Sequence, residues 1–250
     1  HLKNKQVNMK NIIEFHLIHD LPSQYVIPPV PSKKIIPNWL KKMPTHNANP
    51  HNNDSDPTIK KCVPVLDVMT AGYTILTHMD IILSLRDDNV LDVHSLNEDH
   101  KQVILKYPPI EQHGGHQVSG SPFETMKMLK YMNPWRISTP ANYSLLFIPP
   151  ANRFELPIIP LAGLVDTDNY KSMINLPFIH TELAIGGGQV HIPAGTPMCQ
   201  VIPIYSADWE EKITWLDETE VRHNKSYRNI MDTDRTDWYK RKVHTKKKFS

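Results

Sequence analysis

Two carboxylates stand two residues apart in the run Ala162-Gly-Leu-Val-Asp-Thr-Asp-Asn-Tyr170, directly after a predicted buried strand. On an extended segment, side chains at i and i+2 project to the same side, so Asp166 and Asp168 could hold a metal ion or activate a water molecule. Aspartate at a strand end also caps turns with its own side chain, and that reading stands beside the catalytic one. The 14 histidines offer further candidates. His78-Met-Asp80, joined by His180 or His191, has the make-up of a two-histidine, one-carboxylate ligand set. His113-Gly-Gly-His116 could bind a transition metal, although an exposed loop has the same composition. No Gly-x-x-x-x-Gly-Lys, Gly-x-Ser-x-Gly or Cys-x-x-Cys occurs, so phosphate loops, serine hydrolase elbows and zinc ribbons have no support. Cys62 and Cys199 are too few for a disulfide framework and read as reduced packing residues.

The elements that must position these groups are short. The 250 residues include 22 prolines against 9 glycines. Proline lacks an N–H and clashes with the preceding helical turn, so this density predicts strands joined by rigid turns in a mainly β chain. Residues 8–20 read as an opening strand. A proline-rich arm follows, with Trp39-Leu40 as its apolar anchor, and the polar stretch Thr45–Thr58 is a boundary. Two strands are expected around Thr70-Ala-Gly72, where glycine supplies a turn or a close approach. Residues 86–120 read as polar loop, and Ser121-Pro-Phe-Glu124 has capping-box spacing that predicts a short helix through Tyr131. From Asn133 onward, apolar runs alternate with prolines and close in the strand–turn–strand Gln189–Ile204 around Ala194-Gly195. That rhythm suggests a barrel or sandwich. The expected organisation is an N-terminal strand and arm (1–58), a core domain (59–206) with an inserted loop and helix at 86–132, and a charged, partly helical C-terminal segment (207–250).

Charge is uneven along the chain. Lys240, Arg241, Lys242, Lys246, Lys247 and Lys248 crowd an ending without acids, which leaves 22 basic against 26 acidic groups elsewhere. A basic tail of this kind serves solubility or touches nucleic acid or an acidic partner. Trp209, Trp215 and Trp238 lie in this polar region and are expected to pack on the chain's own body or on a partner. No apolar run approaches the roughly 20 residues that cross a bilayer. The expectation is a protein of the cytoplasm or of a virion, neither secreted nor membrane-bound.

Four segments taken together carry a resemblance: Thr70-Ala-Gly-Tyr73, Thr139-Pro-Ala-Asn-Tyr-Ser-Leu-Leu-Phe-Ile-Pro-Pro150, Gly163-Leu-Val-Asp-Thr-Asp168 and Val190-His-Ile-Pro-Ala-Gly-Thr-Pro-Met-Cys-Gln-Val201. Their order resembles that of the trimeric dUTPase and dCTP deaminase superfamily, the β-clip fold, over about half of the chain. The resemblance implies that Asp166 activates the attacking water and that Tyr170 lies beside the base. Three features depart from it. Thr74 stands where the family has an aspartate, Pro149-Pro150-Ala151-Asn152-Arg153 replaces a phosphate-holding Arg-Ser-Ser group, and no glycine follows Gly195 to form a closing arm. Phosphate cradles use exposed backbone N–H groups, which proline lacks. Over its whole length, including Pro37-Asn-Trp-Leu-Lys-Lys-Met-Pro44, Asn133-Pro-Trp135 and the ending from Trp238 to Phe249, the chain also resembles an uncharacterised family of phage-encoded proteins.

The implied expectation is a non-catalytic, oligomeric β-clip module of structural, assembly or binding use, with no cofactor, for which the family resemblance implies a trimer. The alternative is a magnesium-dependent deoxynucleotide hydrolase, with Asp166 and Asp168 catalytic and Tyr170, Asn152 and Arg153 binding the ligand.

Overall fold

The Tyr143–Ile148 strand shows how this sequence makes sheet. Ser144, Leu145 and Phe147 are buried, while Tyr143, Leu146 and Ile148 are half-buried, so aromatic and branched side chains fill a pleated surface on both faces. A computed structural model describes residues 11–17, 21–51, 54–86, 90–186, 188–233 and 238–249. The chain divides into two compact units, one of residues 1–30 and 72–206, the other of residues 31–71 and 207–250.

The first unit is built of antiparallel sheets. One sheet runs in the order Gly163–Val165, Tyr143–Ile148, Pro197–Tyr205 and Tyr73–Leu76. A second runs Ile158–Pro160, Leu176–His180, Leu129–Tyr131 and Ile110–Gln112, and a third Gln189–Ile192, Ile81–Leu85 and Leu91–His94. The opening strand forms at Glu14–Leu17 and pairs with Trp135–Ser138; the rest of the stretch predicted as strand is either unpaired or outside the described residues. The chain is thus mainly β, as its prolines predict. Ile75, Met79, Leu83, Tyr131, Leu145, Phe178 and Met198 belong to one continuous buried cluster. Each such side chain stabilises the fold by about 1.5–3 kcal/mol through its removal from water. Cys199 lies in this cluster, and burial pushes its thiol up to about 12, against the opposing hydrogen bond to the Ile148 carbonyl. Cys62, expected to pack, is exposed instead.

The segment Gln189–Ile204 is a strand, turn and strand, but its two strands do not pair with each other. Gln189–Ile192 joins Ile81–Leu85, whereas Pro197–Tyr205 joins Tyr143–Ile148 and Tyr73–Leu76. Both links between these sheets, Thr77–Asp80 and Pro193–Thr196, turn the corner side by side. Thr77 N–H donates to the Thr196 carbonyl at 2.9 Å, Gly195 N–H donates to the Thr77 carbonyl at 2.8 Å, and the Thr77 hydroxyl donates to the Pro193 carbonyl at 2.7 Å. Gly195 sits at φ +79°, where a side chain would be strained.

Three local expectations change. The segment before Gly72 is a helix, Val63–Thr70, because Pro64 falls in its first turn, where no N–H is needed. Gly72 then ends the turn at φ +62°, and a Cβ there would lie 1.9 Å from the Val201 carbonyl oxygen. The polar stretch 86–120 is more ordered than predicted. It holds Leu91–His94, the helix Glu98–Lys106 capped by Asn97, and Ile110–Gln112. The helix predicted from Ser121 does not form. Ser121 and Glu124 make capping contacts, with Phe123 N–H donating to the serine hydroxyl at 3.2 Å and Gly120 N–H to the glutamate at 3.0 Å. The chain then passes through Lys127 at φ +50° into Leu129–Tyr131, because sheet pairing outweighs the local signal.

The second unit contains the short helix Asn38–Lys42 with buried Leu40, the hairpin His46–Ala48 and Ser55–Pro57, and the helix Val63–Thr70 with buried Met69. The expected C-terminal helices are Glu218–Thr233 and Trp238–Lys242. Asp217 caps the first, accepting from Thr219 and Glu220 N–H at 2.8 Å each, while its own N–H donates to Glu220 at 3.0 Å. His244 and Lys247 each approach Asp67 to 3.0 Å. Burial opposes the effect, but the hydrogen bonds and charge interactions of Lys247 and His244 hold the Asp67 carboxyl below its ordinary value. Among the described residues no helix is long and apolar enough to cross a membrane.

Candidate functional site

Asp166 and Asp168 follow the edge strand Gly163–Val165, but the backbone is no longer extended there. Asn169 and Tyr170 N–H both donate to the Asp166 carbonyl, at 3.1 and 2.8 Å, and fold residues 166–170 into a turn. The alternation that would have aimed the two carboxylates one way is therefore lost. Thr167 between them is fully buried, its hydroxyl 2.7 Å from that of Thr139.

Each carboxylate is committed to a separate task in holding this turn. The Ser144 hydroxyl donates to Asp166 at 2.8 Å and lies 3.0 Å from the Ser206 hydroxyl. Having given its proton to the aspartate, Ser144 accepts from Ser206, so the chain of donors runs toward the charge. Asp168 accepts from the backbone N–H of Asn142 at 3.0 Å. Asn142 is left-handed, φ +64°, and follows Pro140, whose carbonyl accepts from Tyr143 N–H at 3.2 Å. Asp168 thus fixes the turn that starts the Tyr143–Ile148 strand. Tyr170 is exposed, with its hydroxyl directed to the Met173 carbonyl at 3.4 Å.

Asn152 and Arg153 stand at the other end of that strand, in the turn after Pro149-Pro150. Asn152 has φ +58°, and Ala151 N–H donates to the buried Gln200 side chain at 2.9 Å. Arg153 forms an ion pair with Glu155. The strand of six residues between the two turns spans about 17 Å. A single chain therefore does not bring Asn152 and Arg153 to the aspartates. They line a different cavity of about 520 Å³, together with Phe154, Glu155 and Glu182. Its wall carries two carboxylates against one guanidinium, which disfavours a polyanionic phosphate chain. Thr74, at the place of the family's aspartate, is buried opposite Gln200.

The histidine set is not assembled. His78 turns inward, with Nδ1 2.6 Å from the Tyr131 hydroxyl, while Asp80 lies 3.1 Å from His191 Nε2 and accepts from Ala194 N–H at 3.3 Å. Asp80 thereby braces the corner at Pro193–Thr196. His180 is buried, and among the described residues neither of its ring nitrogens has a partner; burial lowers its pKa, against the opposing Glu182. Among the described residues no group of three histidine, cysteine or acidic side chains could hold a metal ion.

The sequence reading missed Ser144 and Asn142, which contact Asp166 and Asp168 across 22 and 26 positions of sequence, as well as Ser206 behind Ser144 and Gln200, which accepts from Ala151 beside Asn152. Only Asn142 carries a local signal, since Pro140-Ala-Asn142 is turn-forming.

No family model matches the chain, and no curated protein matches it. Among solved structures it is similar to a variant of the dUTPase from phage phi11 of S. aureus, described for its coordination of a structural Mg(II) ion, at 12% identity over 84% of this chain and 99% of that one, with a TM-score of 0.37. A variant of the phage 80alpha dUTPase matches at 12% identity over 84% and 92%, TM-score 0.37. The EIAV dUTPase matches at 11% identity over 59% of this chain and 85% of that one, TM-score 0.30.

Proposed function

We propose that this chain is a phage-type, non-catalytic module that assembles with copies of itself and serves assembly or binding. The observation that carries the reading is the separation of the candidate residues. Asp166 and Asp168 hold one turn of the Tyr143–Ile148 strand, whereas Asn152 and Arg153 lie about 17 Å away, with the guanidinium already paired to Glu155. A hydrolase must bring base, water and phosphate within hydrogen-bond reach of one another. Self-assembly is supported by Trp209, Ile213 and Trp215, which are 88%, 81% and 93% exposed within one chain. Exposed tryptophans grouped in one short stretch are costly to leave in water, so a partner is their expected cover. An acidic partner or nucleic acid would be met by the lysines of the Lys240–Lys248 ending, of which Lys247 already pairs with Asp67.

The second reading, a deoxynucleotide hydrolase, draws on one observation: Asp166 and Tyr170 lie exposed on the same turn. It requires another copy to supply the Asn152–Arg153 turn, and its magnesium would have no ready protein cage, since no described residues cluster as metal ligands.

Light scattering on the purified chain is expected to give an oligomer, a trimer if the family resemblance extends to assembly. Incubation with each deoxynucleoside triphosphate and magnesium is expected to release no pyrophosphate. Turnover that disappears in Asp166→Ala would overturn the proposal, and a strict monomer would remove its assembly half.

A further inference from the structure

A cavity of about 180 Å³ opens in the first unit beside His78, walled chiefly by Leu21, Tyr107, Pro109, Met132, Pro134 and Met173. Apolar cavities of about 150 Å³ in other proteins hold benzene, so the space suits one ring with a small substituent. Most polar groups around it are already engaged. The Asn133 side chain donates to the Trp135 carbonyl at 3.1 Å and accepts from Trp135 N–H at 3.3 Å. Glu111 pairs with Lys130 at 3.0 Å, and Lys106 sits 4.9 Å from the centre of the Tyr107 ring.

His78 differs from these groups. It is only 5% exposed, and among the described residues its one hydrogen bond is at Nδ1. The Tyr131 hydroxyl fixes which ring nitrogen carries the proton. Tyr131 donates to the Leu76 carbonyl at 3.2 Å, which faces Pro197 across the ladder, a residue with no N–H to offer. A phenol has one proton, so at the 2.6 Å contact the Tyr131 oxygen accepts and His78 Nδ1 donates. Nε2 is then an unprotonated acceptor on the cavity wall. The ring stays neutral near pH 7 because burial lowers its pKa to about 4, with His100 acting in the same direction.

We infer that this cavity binds a ring-sized, largely apolar molecule carrying one N–H or O–H donor, and that this donor hydrogen-bonds His78 Nε2. The site is distinct from the Asp166 turn and does not depend on whether the chain is catalytic. Phenol is the probe, with benzene as its donor-free counterpart. Calorimetric titration of the full chain at pH 7 is expected to show phenol binding about fivefold tighter than benzene, the effect of one net hydrogen bond. In His78→Phe the two affinities should converge to within about twofold. A readout on the unaltered chain guards against misfolding of that variant: the ¹⁵N resonance of His78 Nε2 should move when phenol is added and stay in place with benzene. Equal affinities in the unaltered chain, an Nε2 resonance unmoved by millimolar phenol, or an undiminished preference for phenol in a folded His78→Phe variant would each overturn the inference.

Discussion

The two units handle their apolar residues differently. The first gathers Ile75, Leu83, Tyr131, Leu145, Phe147 and Phe178 into one buried cluster, and its polar residues bond across long stretches of sequence. The second buries Leu40 and Met69 but leaves Ile213, Trp209 and Trp215 in contact with solvent. Its ordered aromatic pair, Tyr227 of one C-terminal helix against the half-buried Trp238 of the next, has ring centres 4.9 Å apart and leaves Tyr227 exposed. The first unit thus has a large shared core and leaves Leu96, Leu105, Phe154 and Ile185 exposed at separate places along the chain, whereas in the second Trp209, Ile213 and Trp215 are exposed within one short stretch.

Substitutions can break or sharpen that contrast. The largest effect is expected at Gly72. A methyl group there meets the Val201 carbonyl and must also adopt φ +62°. Gly72→Ala should therefore cost about 4 kcal/mol or more in chemical denaturation, with loss of the first unit's cooperative transition. A small effect would mean that the Val201 strand can move aside and that this unit is less rigid than its packing implies.

Acid comes next. His78, which faces Tyr131 and His100, has its pKa lowered from 6.5 to about 4 by burial. Between those values the unfolded chain binds a proton that the folded chain refuses, so stability falls as pH drops through this window and is retained above it. The full loss is about 3 kcal/mol, read from denaturation midpoints between pH 7 and pH 4. His180 acts in the same direction through its own burial. His78→Gln should flatten much of the slope, and an unchanged slope would assign the sensitivity elsewhere.

Smaller effects test the turn and the helix. Ser144→Ala removes the donor to Asp166 and the acceptor for Ser206, and is expected to cost about 1.5 kcal/mol. Asp217→Ala removes the cap of the Glu218–Thr233 helix and should cost about 1 kcal/mol of helix stability, visible as lost ellipticity, with the first unit's transition unmoved. Movement of that transition would show that the two units are energetically coupled.

What could be read from the sequence was what lies within a few residues. Proline spacing announced the short strands, and Gly72 and Gly195 announced a close approach and a turn, because each requirement is local. The partners of the strands were not legible. Gln189–Ile192 and Pro197–Tyr205 look like a hairpin because a tight turn joins them, yet each completes its hydrogen bonding on a different sheet. The aspartate pair misled for the same reason. An i, i+2 spacing aims two side chains together only if the backbone stays extended, and the Asn142 and Ser144 groups that fold Asp166–Tyr170 into a turn lie more than 20 positions away. The helix at Ser121 shows the converse, with correct capping chemistry overruled by pairing of Leu129–Tyr131 with Leu176–Phe178.

The doubled corner at Thr77–Asp80 and Pro193–Thr196 has a kinetic consequence. The hydrogen bond from Thr196 N–H to the Thr77 hydroxyl joins residues 119 positions apart. That corner cannot form until most of the intervening chain has been gathered, and the entropy of closing so long a loop is spent before any contact there rewards it. Refolding of the first unit should accordingly take milliseconds to seconds rather than microseconds, with the corner among the last parts to become protected from hydrogen exchange.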